Sequence, residues 1–162
     1  HPALVEIKDA ADLFGWLRAA DVFERAFRLY HQAATAGDAK AQVQLATMHM
    51  QGEGTPPSAE EAAKWFTQAA DQGDAEGQVA IGMLHALGRG VKPNLVLAHK
   101  WITLSADQGN PEAKAALAQL ATKLTAGQLE DSKKLIEQWK AKPEPKPTKA
   151  DPAEKTAKTA KK

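Results

Sequence analysis

His49 and His85 stand 36 residues apart, and imidazole is the side chain best suited to metal ligation or proton transfer near neutral pH. Stacked in neighbouring units, the two rings would offer two nitrogens to a metal. A spacing of 36, however, is not a ligand motif of the kind formed by i, i+4 histidines on one helix. A structural role for both rings is the expectation. His31 and His99 have no carboxylate at a repeating offset and are assigned no role. Glu60 and Glu61 are adjacent and point in different directions, so they do not form the acid–base pair of a glycosidase. At the start of a helix their charge offsets the positive end of the dipole. Gly52–Glu53–Gly54 and Gly88–Arg89–Gly90 suggest a phosphate cradle at first sight, but a phosphate loop leads from a strand into a helix N-terminus. These glycines follow the end of a helical pattern and are expected to be turn glycines with positive φ. Only three serines occur (Ser58, Ser105, Ser132), no Ser–His–Asp or Lys–Ser arrangement recurs, and there is no cysteine. A thiolate zinc site, a cysteine nucleophile and a disulfide framework are thereby excluded. The side chains point to a protein that is not an enzyme and needs no cofactor or metal.

The elements that position these residues follow from an internal repeat. Gly37, Gly73 and Gly109 recur at a step of 36, as do Gly52 and Gly88, Gly54 and Gly90, and Trp65 and Trp101. Small residues keep the same step (Ala26, Ala62, Ala98), and so do apolar ones (Leu45, Ile81, Leu117; Met48, Leu84, Leu120). A fixed period of this length signals stacked supersecondary units. Each unit reads as two helices. Asp38, Asp74 and Asn110 are N-cap residues, with Pro111 in a first turn, and open first helices over Ala39–Met50, Ala75–Leu87 and Pro111–Leu124. Ser58 with Glu61 is expected to form a capping box, and Asn94 caps the equivalent helix. The second helices then cover Ala59–Asp71 and Leu95–Asp107, with an earlier copy near Val22–Thr35. Alanines allow close helix approach and the tryptophans fill the space between units.

The stretch from AQVQLATMHMQGEG through EEAAKWFTQAADQG to ADQGN resembles Sel-one-like repeats, a branch of the tetratricopeptide-like superfamily, over about residues 22–124. The resemblance implies an all-α, right-handed solenoid of paired antiparallel helices that serves as an adaptor for other proteins, often exported in bacteria. In that family the column of His49 and His85 is usually tyrosine, partly buried under the inter-helix turn. The closing LTAGQLEDSKKLIEQW resembles the capping helix that ends such arrays, with Thr125 and Gln128 as a capping box. The first segment departs from the pattern, because Trp16 and Arg18 stand where the turn glycines would fall. The expected division is an N-terminal cap over 1–20, with Phe14, Trp16 and Leu17 covering the exposed end; a repeat array over 21–124; a capping helix over 125–141; and a disordered tail over 142–162.

The informative surface is the side of the first helices turned away from their second-helix partners. Measured from Leu45 at 100° per residue, Ala41, Met48 and His49 face the core while Gln44, Thr47 and Gln51 point outward. The following units place Ala80, Met83 and Leu87, then Gln119, in the same columns. With Glu76 these residues are expected to line a concave groove that takes a peptide or protein, the amides satisfying a bound backbone and Met83 with Leu87 seating an apolar anchor. Packing of the chain's own C-terminal helix against these columns is the alternative.

Charge and ends complete the expectations. Residues 141–162 carry seven lysines against three acids and hold four of the nine prolines. Such a segment buries too little apolar surface to order itself. Without arginine or stacking aromatics it argues against a nucleic-acid partner. Hydrophobic residues make up 43% of the 162, enough for a real core. No apolar run approaches the ~20 residues that span a bilayer, so no membrane span is expected. The chain opens on histidine, and nothing in residues 1–20 resembles a signal peptide. A processed chain whose signal peptide has gone, periplasmic or secreted, is expected, with a cytoplasmic protein as the alternative. The reading is a non-catalytic interaction scaffold; a bacterial envelope accessory that binds peptidoglycan or its fragments is the second possibility.

Overall fold

A computed structural model describes residues 10–141. The expectations for the tail, for residues 1–9 and for the side chains of Phe14 and Trp16 lie outside the described residues. Among the described residues seven α-helices follow one another: α1 (Ala10–Thr35), α2 (Ala39–Gln51), α3 (Ala59–Asp71), α4 (Ala75–Leu87), α5 (Leu95–Asp107), α6 (Pro111–Leu120) and α7 (Ala126–Lys140), with a 3-10 turn over Ala121–Lys123 between the last two. No strand occurs among the described residues. From α1 to α6 each helix packs against its chain neighbours, α2 with α3 and α4 with α5 most extensively, and α7 packs on α5. The fold is an α-solenoid.

Local chemistry explains the boundaries. The carboxylate or amide oxygens of Asp38, Asp74 and Asn110 accept from the backbone N–H of Ala41, Gly77 and Ala113, each at 2.9 Å. Each satisfies one of the orphan donors of a first turn. Gly52 and Gly88 close α2 and α4 at φ 71° and 68°, donating to the carbonyls of Met48 and Leu84. Gly54 and Gly90, at φ 72° and 70°, meet a second demand. A Cβ on Gly54 would collide with the Phe23 carbonyl of α1, and one on Gly90 with the Ala59 carbonyl of α3. These glycines seat each unit's turn on the preceding second helix, which is why the phosphate-loop reading fails.

Two boundaries and one cap differ from expectation, each for a local reason. Helix α1 runs unbroken from Ala10 to Thr35, across the expected junction at residue 20. With Trp16 and Arg18 in place of the two glycines, nothing turns the chain, and Asp21 pairs with Arg25 one turn on at 3.2 Å. Leu17 is exposed on this helix. The third first helix stops at Leu120, because the chain tightens into the 3-10 turn and becomes extended at Leu124 before Thr125 caps α7. Ser58 caps α3 through the Glu61 N–H, but the return half of the box is missing. The Ser58 N–H donates to the His49 carbonyl, and the Glu61 carboxylate is held by Lys64 at 2.9 Å. Thr125 and Gln128 do form a complete box.

The core lies between the helices of successive units. Ala62, Ala69 and Ala98 are fully buried, so the backbones approach closely around Leu45, Ile81 and Ile102. A polar ladder runs beside this core. Gln42 donates to the Ala34 carbonyl at 3.1 Å and its own oxygen accepts from Gln72 at 2.8 Å. One unit later Gln78 donates to Ala70 at 3.3 Å and accepts from Gln108 at 2.8 Å. Each buried amide thus has both ends satisfied, which the dry interior demands. The ladder stops at Lys114, which is exposed. Helix α7 docks on α5: the Ser132 hydroxyl meets His99 Nδ1 at 2.7 Å, Trp139 stands edge-on to Trp101 at 6.3 Å, and Lys140 reaches Asp107 at 3.1 Å.

Candidate functional site

Helices α2, α4 and α6 are the first helices of their units, and the outward columns expected to bind a partner lie on them. Between α2, α4 and the start of α6 is a cleft of about 350 Å³. Its floor is apolar and buried: Val43, Phe66 and Val79. Thr47 and Ala80, half-buried, form the sides, and the exposed carboxylates Glu76 and Glu112 stand at the rim. The two acids occupy the same column one unit apart, in the first turns of α4 and α6. Thr47 keeps its hydroxyl on its own helix, donating to the Val43 carbonyl at 2.9 Å.

Of the eight residues expected in the groove, Thr47, Glu76 and Ala80 come together in this cleft. Gln44, Gln51 and Gln119 are exposed outside it. Gln51, with its amide nitrogen toward the turn, donates to Glu53 at 2.9 Å. Met83 is half-buried against the cluster of Val79, Ala98, Ile102, Ala106, Ala113 and Leu120, while Leu87 is 64% exposed. Helix α7 packs on α5, a second helix. The residues that sequence reasoning missed are Val43, Phe66, Val79 and Glu112. The signal for Glu112 was present, since it repeats Glu76 at the step of 36.

The histidines are part of the packing. His49 is buried edge-on against Phe27 of α1 at 5.3 Å, and burial pushes its pKa below the usual histidine value. His85 is shifted down by the same cause. His99 is also lowered, by burial and then by the Lys133 ammonium. Among the described residues no group of three or more His, Asp or Glu side chains is placed to hold a metal. Lys40 bridges units by pairing with the Asp74 carboxylate at 2.9 Å. That hydrogen bond and charge hold its ammonium above the usual lysine range.

Capped helix pairs at a step of 36, with turn glycines seated on the previous unit, define a helical-repeat protein. The chain belongs to the Sel1 repeat family: the family model matches residues 13–38, 39–74 and 75–110. Proteins built from these repeats are generally protein-interaction scaffolds, and the fold is typically non-enzymatic. Among solved structures the chain is similar to c5321, a protective antigen present in uropathogenic Escherichia coli strains that displays the same fold. The identity is 32% and the TM-score 0.69, over 72% of this chain and 25% of that one. It is also similar to a Sel1 repeat protein from Oxalobacter formigenes, at 34% identity and a TM-score of 0.56, over 58% of this chain and 39% of the other. The chain therefore spans well under half the length of either. No curated protein matches it. No helix among the described residues is long and apolar enough to cross a membrane.

Proposed function

We propose that this protein is a non-catalytic scaffold that holds an extended segment of a partner protein across α2 and α4, with one large apolar side chain in the cleft. The observation that carries this reading is the combination of a buried apolar floor with two acids at the rim, Glu76 and Glu112. An apolar anchor gains by leaving water, and a basic residue beside it gains from the paired carboxylates. The exposed amides of Gln44 and Gln119 remain available to a bound backbone.

Selection of displayed peptides on the full chain tests this. Enrichment of peptides with one large apolar residue beside lysine or arginine is expected. Ala80→Arg should weaken the selected peptides at least about tenfold, roughly 1.4 kcal/mol, with helix content unchanged. Leu87→Glu should affect them far less if the cleft is the seat, and equally if the Met83–Leu87 wall is. Enrichment that survives Ala80→Arg undiminished would reject the cleft.

A further inference from the structure

Helix α7 ends close to the acidic rim of the cleft. Lys140 reaches Asp107 at the end of α5 at 3.1 Å, and a Cβ on Gly73 would come 3.9 Å from the Trp139 ring. Gly73 sits in the turn that leads into α4, and Asp107 precedes the turn that leads into α6. Gln108 ties the two turns together by donating to the Gly73 carbonyl at 2.9 Å. Each turn runs straight into a rim acid: Glu76 follows Gly73 by three residues, and Glu112 follows Asp107 by five. Five residues of chain cover at most ~18 Å, so Glu112 lies within that distance of the residue that holds Lys140.

The sequence that follows suits this rim. Residues 142–149 read KPEPKPTK, three lysines against one acid, with proline at every second position from 143 to 147. Each proline fixes its own φ and biases the residue before it toward extended backbone, so holding such a segment against a surface costs little entropy. At ~3.1 Å per residue, eight residues span about 25 Å, enough to pass the turns and enter the cleft. The chemistry of the two surfaces matches. A proline ring brings apolar surface and no N–H to the floor of Val43, Phe66 and Val79, and a lysine stands beside Pro143 and Pro147 to meet Glu76 and Glu112. Lys40, whose charge is felt by Glu76, is held by the Asp74 carboxylate at 2.9 Å, which offsets its repulsion of the lysines.

We infer that the Lys–Pro segment 142–149 docks in the chain's own cleft and competes there with the partner segment. The inference rests on the cleft being the binding site. A segment tethered by a few residues acts at an effective concentration of about millimolar, so weak contacts are enough to occupy the cleft. A partner then wins through a larger apolar anchor than proline, and the tail sets the threshold it must exceed.

Two measurements on the full chain test this. The chain has no cysteine, so Ala150→Cys takes a single nitroxide. The amide NMR signals of Thr47, Ala80 and Glu112 should be broadened to the same degree at every protein concentration, and should recover when Glu76→Lys and Glu112→Lys reverse the rim. The second measurement is the affinity of a fluorescent synthetic peptide of residues 141–150. It should bind the chain carrying Lys142→Gln, Lys146→Gln and Lys149→Gln at least about tenfold more tightly than the parent, with helix content unchanged, and Ala80→Arg should remove the gain. Broadening that ignores the rim reversal, broadening that grows with concentration (a tail in another copy's cleft), or equal peptide affinity for both chains would overturn the inference. Selected display peptides that bind the cleft equally well with either tail would overturn the inference and leave the partner site standing. A tail seated in the cleft, with no selected peptide binding there, would uphold the docking and reject the partner reading.

Discussion

Trp65 and Trp101 occupy the same column of successive units, and the molecule treats them differently. Trp101 is 5% exposed, enclosed by the central core cluster and closed from outside by Trp139 of α7. Trp65 is half-buried, packed edge-on to His31 of α1 at 5.9 Å. The turn glycines vary likewise. Gly90 has backbone in the way of any side chain, whereas nothing lies within 4 Å of a Cβ on Gly109. Residues with one sequence role therefore carry different loads, because in a solenoid each position is finished by neighbours from other units. The second complete unit, clasped between the first unit and α7, is the mechanical centre of the array.

The largest effect that tests this comparison is loss of the tryptophans. Trp101→Ala should cost about 3–5 kcal/mol in denaturant unfolding, and Trp65→Ala about half of that. Equal losses would show that α7 adds nothing at Trp101. A contrast within one residue type comes next. Gly90→Ala should cost about 2 kcal/mol or more, from positive φ together with the clash against Ala59, while Gly109→Ala should cost about 1 kcal/mol from φ alone. Similar melting shifts for the two would mean that the turn is free to move off α3.

The smallest effect concerns pH. His49, His85 and His99 have pKa values lowered by burial, so the unfolded chain takes up their protons first. Stability should be level above the ordinary value of 6.5 and fall as the pH drops below it toward the lowered native values. Glu61 beside His49 moderates the decline, and Lys133 beside His99 deepens it. His99→Gln keeps a polar group near Ser132 and removes one titration. Its thermal melts should therefore lose stability less steeply between pH 6.5 and 5 than the parent's, and an unchanged slope would remove His99 from the account.

Periodicity alone was enough to establish the architecture. The glycine step, the N-cap residues and Pro111 are local signals, and a helix boundary is a local event: an orphan N–H finds a side-chain oxygen, or a glycine takes positive φ. Hence α3, α4 and α5 lie where the sequence reading puts them. The outward direction of Gln44, Thr47 and Gln51 was legible for the same reason, since 100° per residue is a property of one helix. What needed the tertiary structure was everything set by a second or third neighbour. The sequence of α1 does not say that losing two turn glycines fuses a cap to a repeat. Ser58 and Glu61 spell a capping box, but Lys64 and the His49 carbonyl compete for its groups. Thr47, Glu76 and Ala80 belong to one surface column, yet they become a cleft only where Val43, Phe66 and Val79 from three helices supply its floor. Local hydrogen bonds and backbone sterics act over a few residues and are written in order along the chain. Burial is a property of the assembled neighbours, so identical residues in one column, Trp65 and Trp101, end in different environments.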